Sequence, residues 1–259
     1  MARENNVTTD TIEVRRSSIS RVSEDYIYSR MAMVCAAVAF LGFAPTYWMP
    51  LINGRLNVHP IIHLHAAIFF GWSVFLVYQT WLGASGCIRT HRRLGLIGVA
   101  LATAMTVIGI GTAINRMQWA DGLGQGDVGR TIAVVPVSNV LFFALVFAAG
   151  VAVARRHDWH KRFMLVAGIS ILDAPISRWF IAFLAQADPP PVAVYIGPPF
   201  VALAILSIPM VVDWRRSGRV HAAYISGALG YVALKLLQVP LGETAAWQSI
   251  AAWLMRFGS

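Results

Sequence analysis

The stretch HPIIHLHAAIFFGW, from His59 to Trp72, sets three histidines within seven residues where a long apolar run begins. Imidazoles at such a place can ligate a metal or haem, exchange a proton, or mark a membrane edge. Helical geometry divides them. His63 and His65 are two residues apart, which is about 200° around a helix of 3.6 residues per turn. His63 shares its face with His59, four residues earlier. His65 lies on a stripe with Trp72 and Gln79 at seven-residue spacing. We therefore expect His65 to look inward and His59 and His63 to lie at the rim. A three-histidine metal site built from this stretch alone is geometrically poor.

A second group carries charge into apolar segments. In ISILDAPISRWF, Asp173 sits near the middle of a span, and Pro175 removes a backbone donor and frees a carbonyl near Ile171. A carboxylate beside a proline break in a membrane helix marks a functional site. Arg178 follows, well round from Asp173. On a later segment His221, Tyr224, Ala228, Tyr231, Lys235 and Gln238 form one face, with Lys235 in its outer half. Ser138 and Asn139 have similar depth. His63, His65, Asn139, Asp173, Arg178, Tyr231 and Lys235 together read as an outward-facing polar pocket. Its cations suit a quinone head group, a haem propionate or a carboxylate. The structural alternative is that Asp173 pairs with Lys235 or Arg178 and fixes helix packing.

A third group lies at the other end. His91 opens HRRLGLIG, His160 opens HKRFMLVAG, and His221 sits in GRVHAAYISG, each at the start of an outward-running segment. Membrane b-type cytochromes hold haem between histidines of neighbouring helices, with glycine close by for the flat ring. His91 with Gly95 has this form. The candidate haem or metal ligands are thus His65, His91, His160 and His221. The competing reading makes the shallow His/Arg/Lys clusters interfacial anchors.

These side chains need elements to hold them. Of 259 residues, 57% are hydrophobic and 13% charged, against roughly a quarter charged in a soluble domain. Recurrent apolar runs of about 20 residues indicate transmembrane helices. The fold class is an all-α polytopic bundle, with helices expected over residues 29–51, 60–84, 91–114, 131–154, 160–186, 192–212 and 220–239. The GPPF at Gly197–Phe200 is expected to break the sixth, so that regular helix starts at Pro198. Arginines collect in the N-terminal segment (Arg3, Arg15, Arg16, Arg21, Arg30) and after the second helix (Arg89, Arg92, Arg93). They collect again after the fourth (Arg155, Arg156, Arg162) and the sixth (Arg215, Arg216, Arg219). That alternation places the N-terminus in the cytoplasm and the C-terminus outside, in a multi-pass bacterial cytoplasmic membrane protein. The net charge of +9 then reports orientation, and no nucleic-acid partner is implied. Residues 1–28 read as a polar cytoplasmic arm, 29–240 as the bundle, and 241–259 as an amphipathic extracytoplasmic tail lying on the membrane. Cys35 and Cys87 are not placed for a disulfide. P-loop, GxGxxG, GxSxG and HExxH patterns are absent.

The set GFAPTYW, HLHAAIFFGW, HRRLGLIGVALA, HKRFMLVAGISILDA and GRVHAAYISG resembles an uncharacterised family of bacterial seven-helix integral membrane proteins. The resemblance runs over nearly the whole chain after Ser29 and implies fold and location without a substrate. Where that family often carries an acidic residue in the fourth helix, this chain has Ser138 and Asn139, so the resemblance implies no proton relay there. A more local likeness, limited to HRRLG with a small-residue helix, is to membrane b-type cytochromes. Three functional readings follow. The first is a redox-cofactor protein binding haem or a quinone. The second is an accessory subunit of a larger respiratory or photosynthetic membrane complex, or a homo-oligomer. The third is a proton-coupled transporter of a small anionic solute using Asp173, Arg178 and Lys235. A lysine on the seventh helix also occurs in retinal proteins, but the orientation here is inverted. No enzymatic activity is assigned.

Overall fold

The computed structural model describes residues 26–184 and 193–257. Most of the N-terminal arm expected over residues 1–28 lies outside the described residues. Seven helices are long and apolar enough to cross a membrane. They are α1 (Tyr26–Ile52), α2 (Pro60–Ala84), α3 (Ile88–Gly122), α4 (Gly126–Ala152), a broken fifth span, α7 (Ala193–Ser217) and α8 (Ala222–Gly242). The fifth span consists of α5 (His157–Ser170) and α6 (Asp173–Leu184). A final helix, α9, covers Ala245–Met255.

Local chemistry sets the ends. Pro60 occupies the first turn of α2, and the His59 side chain caps it by accepting from the Ile61 N–H. That is the position where a missing proline donor costs nothing. His221 caps α8 in the same way through the Ala223 N–H. Gly86 takes a φ of 73° in the α2–α3 turn, a conformation that glycine adopts without steric cost. The expected break at GPPF does not occur: α7 runs unbroken from Ala193 to Ser217 with Pro198, Pro199 and Pro209 inside it. Membrane helices tolerate such prolines because neighbours and local adjustment satisfy the freed carbonyls. α3 extends two turns beyond its expected outer end, through NRMQWADG.

The fifth span is the axis of the bundle: 56% of its most apolar window is buried, against 22–39% in the other spans. Its helix breaks at Ile171 and Leu172, where Pro175 deprives the ladder of a donor. Asp173 consequently opens a new half-helix, where the positive end of the dipole favours a carboxylate. α1 crosses this break so closely that a Cβ on Gly42 would stand 2.6 Å from the Pro175 carbonyl oxygen. Around the axis the core is aromatic and aliphatic, with Trp72, Phe143, Leu165, Val166, Ile169 and Tyr224 buried. Leu96, Leu145, Leu229 and Leu236 stay exposed, as helices in lipid require. α1 carries a π-turn over Ala44–Trp48, and its Trp48 packs inward against Phe70 with ring centroids 4.7 Å apart.

α9 packs on the C-terminal end of α3 and the N-terminal end of α4. Trp247 Nε1 donates to the Arg130 carbonyl at 2.7 Å, and Gln118 Nε2 donates to the Met255 carbonyl at 3.1 Å. Ala251 of α9 is fully buried. The amphipathic tail is thus seated on helix ends.

Candidate functional site

The arginine-rich end gathers two histidines. His91 enters from the first turn of α3, and its Nδ1 lies 3.1 Å from the Gln79 carbonyl oxygen at the end of α2. His160 enters from the first turn of α5, and its Nδ1 lies 2.8 Å from the Gly150 carbonyl oxygen at the end of α4. A carbonyl only accepts, so each contact fixes the proton on Nδ1 and leaves the Nε2 lone pair unprotonated. The two ring centroids stand 6.1 Å apart with planes nearly perpendicular. Neither Nε2 has a hydrogen-bond partner among the described residues. Gln79 itself is buried with both side-chain amide atoms unsatisfied. One turn beyond His91, a Cβ on Gly95 would meet nothing within 4 Å. Among the described residues no three His, Cys, Asp or Glu side chains converge as a metal site. An imidazole pair on its own therefore suits a metal whose remaining ligands arrive with it.

His221 and His65, the other candidate ligands, stand apart from this pair. His221 spends its Nδ1 on the α8 cap and packs against Trp159. His65 stacks on Phe69, with centroids 4.0 Å apart, and its Nδ1 meets the Thr112 hydroxyl at 3.3 Å. His63 is bound to the Tyr47 hydroxyl at 3.0 Å, and His59 is an exposed cap. His63 and His65, both half-buried, thus turn to different neighbours, His63 to Tyr47 of α1 and His65 to Thr112 of α3, while His59 stays exposed.

The outward pocket read from the sequence resolves into two parts. Asp173, Lys235, Tyr231 and Asn139 form a closed network across α4, α6 and α8. Lys235 pairs with Asp173, and the Tyr231 hydroxyl donates to the other Asp173 oxygen. Lys235 Nζ also donates to Asn139 Oδ1 at 2.6 Å. Gln238 Nε2 donates to Asn139 Oδ1 and Ser138 Oγ, each at 2.8 Å. One Asp173 oxygen is taken by Lys235 and the other by Tyr231, and neither by Arg178. Arg178 lies outside this network against Phe43, with Cζ 5.6 Å from the ring centroid.

Sequence reasoning missed one buried pair. Arg162 forks onto Asp213, with Nε donating to Oδ2 at 2.9 Å and the terminal nitrogen to Oδ1 at 2.7 Å. The same carboxylate accepts from the His221 backbone N–H at 3.3 Å, tying α5, α7 and the start of α8 together. Its signal was a lone acid at the end of an apolar run, VVDWRR, hidden among loop arginines.

No protein-family model, curated protein or solved structure matches this chain.

Proposed function

We propose that this multi-pass membrane protein is a redox-cofactor protein that holds a b-type haem at its arginine-rich end, with His91 and His160 as the residues that would hold its iron. The observation that carries this reading is the neighbouring pair of imidazoles, 6.1 Å apart, each with Nδ1 committed to a backbone carbonyl and Nε2 without a partner among the described residues. Such an outer hydrogen bond is the usual support of a metal-binding histidine, because it sets the tautomer and raises the basicity of the ligating nitrogen. A two-imidazole site requires a metal already held by other ligands, and a porphyrin supplies four. The empty space at Gly95 gives a flat ring access to the α3 backbone. Arg92, Arg93, Arg155 and Arg156 crowd the same end and offer charge for two propionates. Bound there, haem would take up and release single electrons. The chain's own part is to orient both imidazoles through Gln79 and Gly150, to wall the site with apolar helix faces, and to neutralise carboxylates at the membrane edge.

The test is an absorption spectrum of the gently solubilised protein, air-oxidised and then reduced with dithionite. Sharp reduced-state b-type bands are expected, at one haem per chain. They should vanish in His91→Ala and in His160→Ala while persisting in His65→Ala and His221→Ala. A spectrum holding only protein absorbance, from protein expressed with ample haem supply, would remove the proposal.

A further inference from the structure

At the opposite end of the bundle, Arg178 stands unanswered. It sits on α6, six residues before Leu184, about 9 Å from the helix end at 1.5 Å per residue. Its Nε is buried with no hydrogen-bond partner among the described residues. Among the described residues no carboxylate lies within ion-pair distance of it. Asp173, earlier on the same helix, is taken by Lys235 and Tyr231. Asp121 and Asp127 face Arg130. The surroundings add donors and positive charge. Arg116 of α3 and His65 of α2 lie within electrostatic range of Arg178. Trp48 of α1 holds a second buried N–H with no partner among the described residues. Trp48 packs on Phe70, which packs edge-on against Phe43, the ring beneath the guanidinium. The Thr112 hydroxyl donates to the Ile108 carbonyl, which leaves it an acceptor only toward His65.

A guanidinium with its Nε buried in an apolar bundle is unfavourable without an acceptor. Sequences keep such groups where something supplies the acceptor. We propose that Arg178, with Arg116 and the Trp48 N–H, forms an oxyanion site in the outer half of the bundle, and that its ligand presents a phosphate group. The planar fork of arginine matches phosphate oxygens in pairs. The aromatic wall of Phe43, Trp48 and Phe70 gives the rest of an amphiphile an apolar surface. An anionic phospholipid head group and free phosphate share this chemistry. The proposal is independent of the histidine pair, which lies at the other end.

The experiment uses the full chain, delipidated in a non-ionic detergent that carries no phosphate. Tm and tryptophan fluorescence are followed while inorganic phosphate is titrated, and separately while phosphatidylglycerol is added in mixed micelles, with diacylglycerol as the uncharged control. A saturable response to phosphatidylglycerol alone identifies a lipid head group, and a response to inorganic phosphate identifies a soluble oxyanion. Either response should weaken about tenfold or more in Arg178→Gln and partly return in Arg178→Lys, since a charge-assisted hydrogen bond is lost and then partly restored. Trp48→Phe keeps the ring, deletes the N–H and should weaken binding by a smaller factor. The idea fails if neither probe gives a saturable response in the wild-type protein, or if Arg178→Gln responds equally. The wild-type titrations decide the matter even if Arg178→Gln does not fold, and the haem spectrum should be unchanged throughout.

Discussion

At the scale of single residues, Asp173 and Lys235 carry the sharpest expectation. Their side chains keep 10% and 13% exposure, and loss of one member leaves a charge in the bundle. Asp173→Asn or Lys235→Met alone should destabilise the protein by about 3–5 kcal/mol. The double variant should recover most of that loss, because no uncompensated charge remains. Unfolding in detergent through a double-mutant cycle measures the coupling, and additive losses would show that the pair does not act as a unit. His221 gives a pH expectation. It lies just outside the spans, and partial burial, then the Arg162 charge, hold its imidazole below the ordinary value, while Asp213 and Asp158 oppose them. Its cap needs an unprotonated Nδ1. Below about pH 6.5 the unfolded chain binds the proton first, so the native state loses stability as pH falls through this range. Asparagine also caps helices and does not titrate. His221→Asn should therefore flatten the decline between about pH 7 and about pH 5, and an unchanged slope would clear His221 of the effect. Both of these residues were legible in the sequence, Asp173 because a charge inside an apolar run is costly, His221 because it opens one. The Arg162–Asp213 pair was not, because at a helix end an acid among arginines looks like an ordinary solvated loop.

At the scale of elements, helix packing turns on small residues at two contrasting places. Gly42 has no room for a side chain: an added Cβ would lie 2.5–2.7 Å from Pro175 Cβ, oxygen and carbonyl carbon. Backbone cannot swing aside, so Gly42→Ala should destabilise by about 1–3 kcal/mol. The loss would appear as a lowered Tm, and an unchanged Tm would mean that α1 does not cross α6 this tightly. Gly95 is the opposite case, since its Cβ position is open. Gly95→Leu should leave the fold intact and raise helix propensity by about 0.5–1 kcal/mol. It should also obstruct a ring bound beside His91, so Tm should hold while the b-type bands fall. Retained bands with full haem stoichiometry would move the ring away from Gly95. The spans themselves were readable from apolar length and loop charge, and Pro175 announced the break before Asp173. GPPF misled, because proline breaks a helix reliably in water but less so where neighbouring helices satisfy the freed carbonyls. That His91 meets His160 was not readable, since each histidine lies at the end of a different hairpin and only the crossing of α2, α3, α4 and α5 sets their separation.

At the scale of the whole molecule, the two proposed sites lie at opposite ends of the bundle, so orientation decides which compartment each one serves. By the positive-inside rule the arginine asymmetry predicts the histidine pair at the cytoplasmic edge and Arg178 in the outer half. The two cysteines offer a direct check. Cys35 is buried within α1, whereas Cys87 is exposed in the α2–α3 turn at the arginine-rich end. A membrane-impermeant maleimide should leave intact cells unlabelled and should modify Cys87 in inverted vesicles. Cys87→Ser should abolish the labelling, while Cys35→Ser should not change it. Labelling of Cys87 in intact spheroplasts would invert the molecule. The imidazole pair would then exchange electrons with extracytoplasmic partners, and Arg178 would draw its phosphate from the inner leaflet or the cytoplasm. Neither site's geometry would change, because each is built from contacts within the bundle and from no property of the compartment.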